Sequence, residues 1–200
     1  MILIWLKSIL RHDPDVILIW ETRSLETAEI GINAALTWHL VFTTLHTSSA
    51  IESISRLLNM WVKSYMLAPS VNLIVGQRLV RKLCTHCTTK KKANYAEIEE
   101  IQESIDKINQ VIQNSNIIFD GNINTSIGCD KCNWTWYIWR LAITEVLEIT
   151  EEMKSMIWES KSNFWLYGKA REWWFLTMKE DWMLKLLDWQ TTLEELRRVL

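Results

Sequence analysis

Three features of the sequence predict an α/β fold. The run VILIW (Val16–Trp20) is apolar throughout and rich in β-branched residues, as in a strand buried on both faces of a parallel sheet. Strand-like and helix-like stretches then alternate along the first 83 residues, the order that a sheet flanked by helices produces. Two CxxC pairs, CTHC (Cys84, Cys87) and CDKC (Cys129, Cys132), bracket a stretch of different character.

Taken in order, residues 2–11 read as a short helix with Leu3, Leu6, Ile9 and Leu10 on one face. HDPD (His12–Asp15) is turn chemistry, since proline does not continue a helix. Asp13 and Asp15 serve the turn and lead into the strand Val16–Trp20. ETRSLETAEIGINAAL follows as a polar turn and an amphipathic helix. Ser24 is its N-cap, Thr27 stands at the third helical position, and Glu26 and Glu29 suit the helix's positive end. HLVFTTLHT (His39–Thr47) is a second strand, SSAIESISRLLNM a second helix, and SVNLIVGQRLVRKLC leads into the first cysteine pair.

Between the cysteine pairs, TTKKK reads as a solvated basic patch rather than a nucleic-acid site. YAEIEEIQESIDKINQVI (Tyr95–Ile112) is an amphipathic helix with apolar residues at 98, 101, 105, 108 and 112. NSNIIFDGNINTSIG is loop with at most one short strand. After the second pair, LAITEVLEI is a strand. Residues 150–200 form a helical region whose last helix, in TTLEELRRVL, is capped by Thr191 or Thr192.

The net charge of −2 gives no overall basic footprint for nucleic acid. No apolar run reaches the ~18 residues of a membrane helix. The start, MILIWLKSILRHDPD, lacks the basic segment and cleavage site of a signal peptide, so a cytoplasmic location is expected. A reducing compartment disfavours disulfides. Four thiolates in two tight turns suit tetrahedral zinc, with 41 residues between the pairs forming an inserted subdomain. A relic site without metal and a redox CxxC are the alternatives, although nothing nearby reads as a thioredoxin βαβ unit. His86 is a bystander between two ligands.

A buried strand that delivers a carboxylate at its C-terminal end is the Walker B arrangement, and ligands in open α/β sheets bind outside the carboxyl ends of strands. Glu21 would sit at that edge, able to orient or deprotonate an attacking water or to hold a water on Mg²⁺. One strand and one glutamate are a weak signal. The longer stretch is far more specific: LKSILRHDPDVILIWETRSLETAEIGINAALTWHLVFTTLHTSSAIESISRLLNMWV, continued by QRLVRKLCTHC, GCDKCNWTWYIWR and EDWMLKLLDWQTTLEELRRV, closely resembles the secretion ATPases of the type II secretion and type IV pilus assembly family. The paired CxxC favours the assembly and secretion branch over the retraction motors.

The resemblance implies the C-terminal part of a RecA-like P-loop ATPase. Residues 1–83 would be a partial core with Walker B and His box, 84–140 a tetracysteine zinc insert, and 141–200 a C-terminal strand and helical region. Glu21 matches the Walker B glutamate, which positions water and the Mg²⁺ shell; the plain alternative is an exposed strand-end acid. Arg23 matches an arginine able to reach a phosphate or a neighbouring subunit, or else makes a surface salt bridge. Ser24 replaces the family's aspartate. His39 and His46 match the His box. His46, with Thr43, Thr44 and Thr47, would end a strand at the same edge and sense the γ-phosphate of ATP. GxxxxGK[ST], the phosphate cradle, is missing, so Met1 is expected to start inside the ATPase domain and the chain to hydrolyse no ATP alone. A complete relative would be a cytoplasmic homo-hexamer binding ATP between subunits and acting on an inner-membrane platform protein, peripheral to the membrane. The alternative function is a non-catalytic, zinc-bearing interaction module that docks on full-length subunits.

The resemblance also bears on composition. The chain has 13 Trp and 5 Gly, where average usage gives roughly 14 glycines. Trp5, Trp20, Trp38, Trp61, Trp136, Trp139, Trp174, Trp182 and Trp189 fall where the family pattern has or favours glycine, and Trp134 joins them. Some bacteria read the codon UGA as glycine; assigning it to tryptophan would write this sequence, the alternative being a genuinely tryptophan-rich protein. Such tryptophans should cluster at turns, helix ends and close backbone approaches rather than in a core. Trp158, Trp165 and Trp173 are compatible with either residue.

Overall fold

The computed structural model describes residues 12, 14–112 and 117–199. The helix expected over residues 2–11, Trp5 and Asp13 lie outside them. The chain divides into two compact units. One comprises Met1–Ile74 and Leu147–Ala170, the other Val75–Val146 and Arg171–Leu200.

In the first unit, β1 (Val16–Ile19) and β2 (Leu40–Thr43) are parallel, with Val16 opposite Leu40 and Ile19 opposite Thr43. The crossover is α1 (Leu25–Leu36), capped by Ser24, whose hydroxyl accepts from the Thr27 amide. Ile30 and Ala34 of this helix pack on Ile17 and Ile19. A Cβ on Gly31 would stand only 3.0 Å from Ile19 Cδ1, so glycine lets the helix lie close on the sheet. The expectation that β1 is buried on both faces is corrected: Ile17 and Ile19 are buried, but Val16 and Leu18 are exposed. Among the described residues α1 covers one face only. Beyond β2 come α2 (Ala50–Asn59), capped by Ser49, and α3 (Ser64–Ser70). The helices α1 and α5 (Glu151–Trp158) both pack on α3.

In the second unit, β4 (Thr88–Lys92) and β5 (Asn122–Ser126) pair antiparallel, so the lysine run, solvated as expected, lies on a strand. The helix α4 (Tyr95–Val111) opens with a capping box between Asn94 and Glu97. It buries Ile101, Ile105 and Ile108 against α7 (Met178–Leu187) and α8 (Leu193–Val199). Thr192 caps α8 through the Glu195 amide. The buried Glu195 carboxylate takes hydrogen bonds from the Arg81 amide and side chain and from Arg198, at 2.5–2.8 Å. The long strands β3 (Leu73–Leu83) and β6 (Tyr137–Glu148) pair with each other. The chain passes between the units within β3, within β6 and within α6 (Asn163–Glu172).

The tryptophans occupy unusual backbone. The angle φ is 71° at Trp38 and Trp61, 60° at Trp134, 72° at Trp136, 68° at Trp139, 63° at Trp174 and 64° at Trp189. Three of these follow helices in Schellman geometry. At the end of α1, the Trp38 amide donates to Ala35 and the His39 amide to Ala34. At the end of α2, Trp61 donates to Leu58 and Val62 to Leu57; at the end of α7, Trp189 donates to Leu186 and Gln190 to Lys185. Glycine is the usual residue at this left-handed position, because a Cβ there crowds the neighbouring carbonyl. At roughly 1–2 kcal/mol each, seven such residues would take up much of the ~5–15 kcal/mol by which a domain is stable. Trp182 departs from the expectation of exposure: it is fully buried in α7, and its Nε1 has no hydrogen-bond partner among the described residues.

Candidate functional site

Two clusters of chemically capable side chains emerge. The first is the cysteine set. Cys84 and Cys87 lie on the turn between β3 and β4, where the Thr88 amide donates back to Cys84. Cys129 and Cys132 flank a 3-10 turn, Asp130–Cys132, followed by Asn133 and Trp134 at positive φ. The Trp136 carbonyl joins the two halves by accepting from the Cys84 amide at 2.9 Å.

All four sulfurs lie within 4.8 Å of one another, and no disulfide joins them. Sγ–Sγ distances are 3.8 Å for Cys84–Cys129, 3.7 Å for Cys87–Cys132 and 3.8 Å for Cys129–Cys132. A tetrahedron of sulfurs about 2.3 Å from a central zinc has edges of about 3.8 Å, so the donor set fits that ion. Burial pushes the Cys132 thiol up, but backbone hydrogen bonds at Cys129 and Trp136, with its sulfur neighbours, outweigh it and bring it down to about 6. The Ser126 hydroxyl favours the Cys87 thiolate, yet burial and the other three sulfurs push this thiol up to about 11. His86 is exposed and stands outside the ligand set. A Cβ on Gly128 would meet Trp134 Cε3 at 2.9 Å, so the turn before Cys129 has no room for a side chain beside this indole.

The second cluster lies at the carboxyl ends of β1 and β2. The ladder continues past both strands: the Thr22 amide donates to Thr44 O at 3.0 Å, and Thr44 Oγ1 donates to Trp20 O at 2.6 Å. The Thr22 and Thr43 hydroxyls pair at 2.8 Å. These bonds hold Glu21 at the sheet edge. Its Oε1 lies 2.6 Å from Arg23 Nε and 3.2 Å from His46 Nε2. The Arg23 hydrogen bond holds the Glu21 carboxyl below its ordinary range against the opposing effect of burial, with the charges of Arg23 and His46 adding to it. Glu21, Thr22, Arg23, Leu45, His46 and Arg56 line an open cavity of about 450 Å³. Trp20, 85% exposed, directly precedes Glu21 in the chain.

The structure thus brings Glu21, Arg23, His46, Thr43 and Thr44 together. It does not bring His39 to them. His39 precedes β2, at the opposite edge, where its Nδ1 lies 3.1 Å from both Ala34 O and Thr37 Oγ1 and closes the end of α1. Thr47 turns to Ser53 and Ser49. Sequence reasoning missed Thr22 and Arg56. Thr22 stood within the quoted ETR, but a threonine beside a glutamate carries no periodic signal. Arg56 comes from α2, and only the fold delivers it to the same cavity as Glu21.

The family model described as "Type II/IV secretion system protein" matches residues 3–198. The chain is 41% identical over 196 residues to the type IV pilus assembly ATPase PilB of Pseudomonas aeruginosa, covering 97% of this chain and 32% of that protein. It is 35% identical over 194 residues to the type II secretion system protein HxcR of the same species, covering 97% of this chain and 35% of the relative. To the putative type II secretion system protein E of Escherichia coli it is 34% identical over 194 residues, 97% of this chain and 37% of the relative. The chain therefore spans about a third of the length of these relatives. Among solved structures, the pilus retraction motor PilT with bound ADP superposes with a TM-score of 0.62 at 24% identity, over 98% of this chain and 42% of that one. The Legionella pneumophila ATPase DotB gives 0.61 at 19%, over 96% and 40%.

Proposed function

The chain belongs to the type II/IV secretion system protein family, and we propose from that premise that it serves in a RecA-like, ATP-driven motor for type IV pilus assembly or type II secretion. The observation that carries this reading is Glu21, held by Arg23 and His46 at the carboxyl edge of two parallel strands beside an open cavity. A carboxylate kept ionised there orients a water toward a phosphate or holds a water of the Mg²⁺ shell. Arg23, largely exposed, is free to turn from Glu21 to a phosphate. His46 reports the phosphate's arrival through the same carboxylate. Thr22, Thr43 and Thr44 fix the edge.

ATP with Mg²⁺ is the expected nucleotide, and zinc is the ion expected on Cys84, Cys87, Cys129 and Cys132, where it would hold two turns together. The motor would be a homo-hexamer working from the cytoplasm on an inner-membrane platform protein, with no helix of the described residues long and apolar enough to cross a membrane. The 200 residues contain no GxxxxGK[ST] cradle, so by themselves they turn over no ATP. In the longest natural form of the protein, Glu21→Gln should lower ATP turnover by ~10²–10⁴ while ATP affinity changes less than tenfold. Unchanged turnover would refute the assignment. The closed cysteine set also supports a second reading, a metal-bearing module that docks on motor subunits; it predicts that the chain alone co-purifies with them and that losing the metal abolishes capture.

A further inference from the structure

The left-handed tryptophans separate from the others on backbone geometry. Trp38, Trp61, Trp134, Trp136, Trp139, Trp174 and Trp189 have φ between 60° and 72°. Trp158, Trp165 and Trp173 do not have positive φ. Two of those three make the contacts of ordinary tryptophans: Trp158 stands edge-on to Tyr65, with ring centroids 6.1 Å apart, and Trp165 edge-on to Phe164 at 5.7 Å.

The seven share a backbone requirement; Lys90 Nζ stands 3.9 Å over the Trp189 ring, but no one task for an indole is common to all seven. Trp38, Trp61 and Trp189 fill the left-handed position of Schellman motifs at three different helix ends. Trp174 follows the end of α6 with the same sign of φ. Trp134 and Trp136 shape the turn after Cys132, and Trp139 takes positive φ near the start of β6. Trp38 is 97% exposed, and its indole contributes nothing to the helix end that its backbone completes. An aromatic docking surface would select for residues on one face and would be indifferent to φ. A requirement for positive φ selects for glycine, of which the chain has only 5.

We propose that the native polypeptide carries glycine at these seven positions, inserted at UGA codons by a glycyl-tRNA that reads them, and tryptophan at Trp158 and Trp165. Trp20 and Trp182 have ordinary backbone and fall outside this criterion. The consequence for the metal centre is direct. With glycine at Trp134, the ring that lies 2.9 Å from a Cβ position on Gly128 is gone, and the turn before Cys129 gains room. A cell that reads UGA as a stop would end synthesis no later than Trp38.

Peptide mapping by mass spectrometry on protein from its own cells decides the matter. The expected result is glycine at all seven positions, each peptide lighter by the Trp-to-Gly difference, with UGA codons at all seven and UGG codons at Trp158 and Trp165. Intact tryptophan at any one of the seven overturns the proposal, and so does glycine at Trp158 or Trp165. A second measurement compares two synthetic genes that differ only at the seven codons. The glycine form should melt at least ~10 °C above the tryptophan form; equal or reversed melting overturns the backbone argument.

Discussion

The cysteine cluster and the Glu21 edge are both built where strands end, yet they differ in closure. The four sulfurs converge on one point, three of the four cysteines are buried, and spacings of 3.7–3.8 Å fit one ion. Nothing further is needed to complete that coordination. Around Glu21, by contrast, both partner side chains are exposed and the cavity is open. A metal that holds turns together must draw its whole ligand set from the turns it joins. An edge that handles a transient ligand must leave room for that ligand. The first arrangement should therefore carry stability, and the second should carry little.

The largest expected effect tests the closed side. Stripping metal from the four cysteines should unfold the second unit, since structural zinc contributes on the order of 10 kcal/mol of apparent folding free energy. Elemental analysis with a thiol titration checks it: one zinc per chain and no free thiols before chelation, four after. Zinc-free protein with four titrating thiols and an unchanged melt would break the contrast.

Next in size is Glu195, in the same unit. Its buried carboxylate lies between Arg81 and Arg198. Glu195→Ala should cost about 1–3 kcal/mol, because the Arg81 amide and two partly exposed guanidinium groups lose a fully buried acceptor. The pH dependence has a definite sign. Burial pushes the Glu195 carboxyl up, but hydrogen bonds from Arg198 and Arg81 overcome that and bring it down to about 2. Its stabilisation is thus present above the ordinary carboxylate pKa of about 4.3 and is lost as pH falls from there toward 2. Acid titration of the melt, wild type against Glu195→Gln, should show a steeper loss in the wild type, because other lowered carboxyls such as Glu21 titrate in both.

A smaller effect separates backbone from side chain. Trp61→Gly should raise stability by roughly 1 kcal/mol, whereas Trp158→Gly should lower it, since the Tyr65 contact goes and a helix residue becomes glycine. Paired urea melts would read the two signs, and equal signs would count against a role for φ.

What was legible in the sequence follows the same division. The cysteine pairs were legible because ligand spacing is local and chemically specific. The β1–α1–β2 crossover was legible from its apolar run and the Ser24 cap, and α4 from Ile101, Ile105 and Ile108 at helical spacing. The strand β4 was not, because TTKKK has no apolar alternation; its partner β5 supplies the buried residues, Ile123, Asn124 and Ser126, and Asn124 donates to Leu186 O. The exposed face of β1 was illegible too: an apolar run reports what a strand can bury, not what covers it. His39 read as a partner of His46 from the resemblance, but strand direction places it at the opposite edge, since it precedes β2 and His46 follows it.

The smallest effect tests the open side. An ion pair between exposed groups contributes little to folding, so His46→Ala and Arg23→Ala should each leave the melting temperature within about 2 °C of wild type. Their influence should appear instead in the Glu21 carboxyl. Arg23 lowers it by both a hydrogen bond and its charge, His46 by charge alone and last in order. Arg23→Ala should therefore return the Glu21 titration toward the ordinary carboxylate range, and His46→Ala should move it the same way by less. Carboxyl-carbon NMR with Glu21→Gln as the assignment control reads both. If Arg23→Ala leaves the titration in place, the carboxylate is not held by that guanidinium. If either substitution instead collapses the melt, the edge is a structural clamp, and its difference from the cysteine cluster disappears.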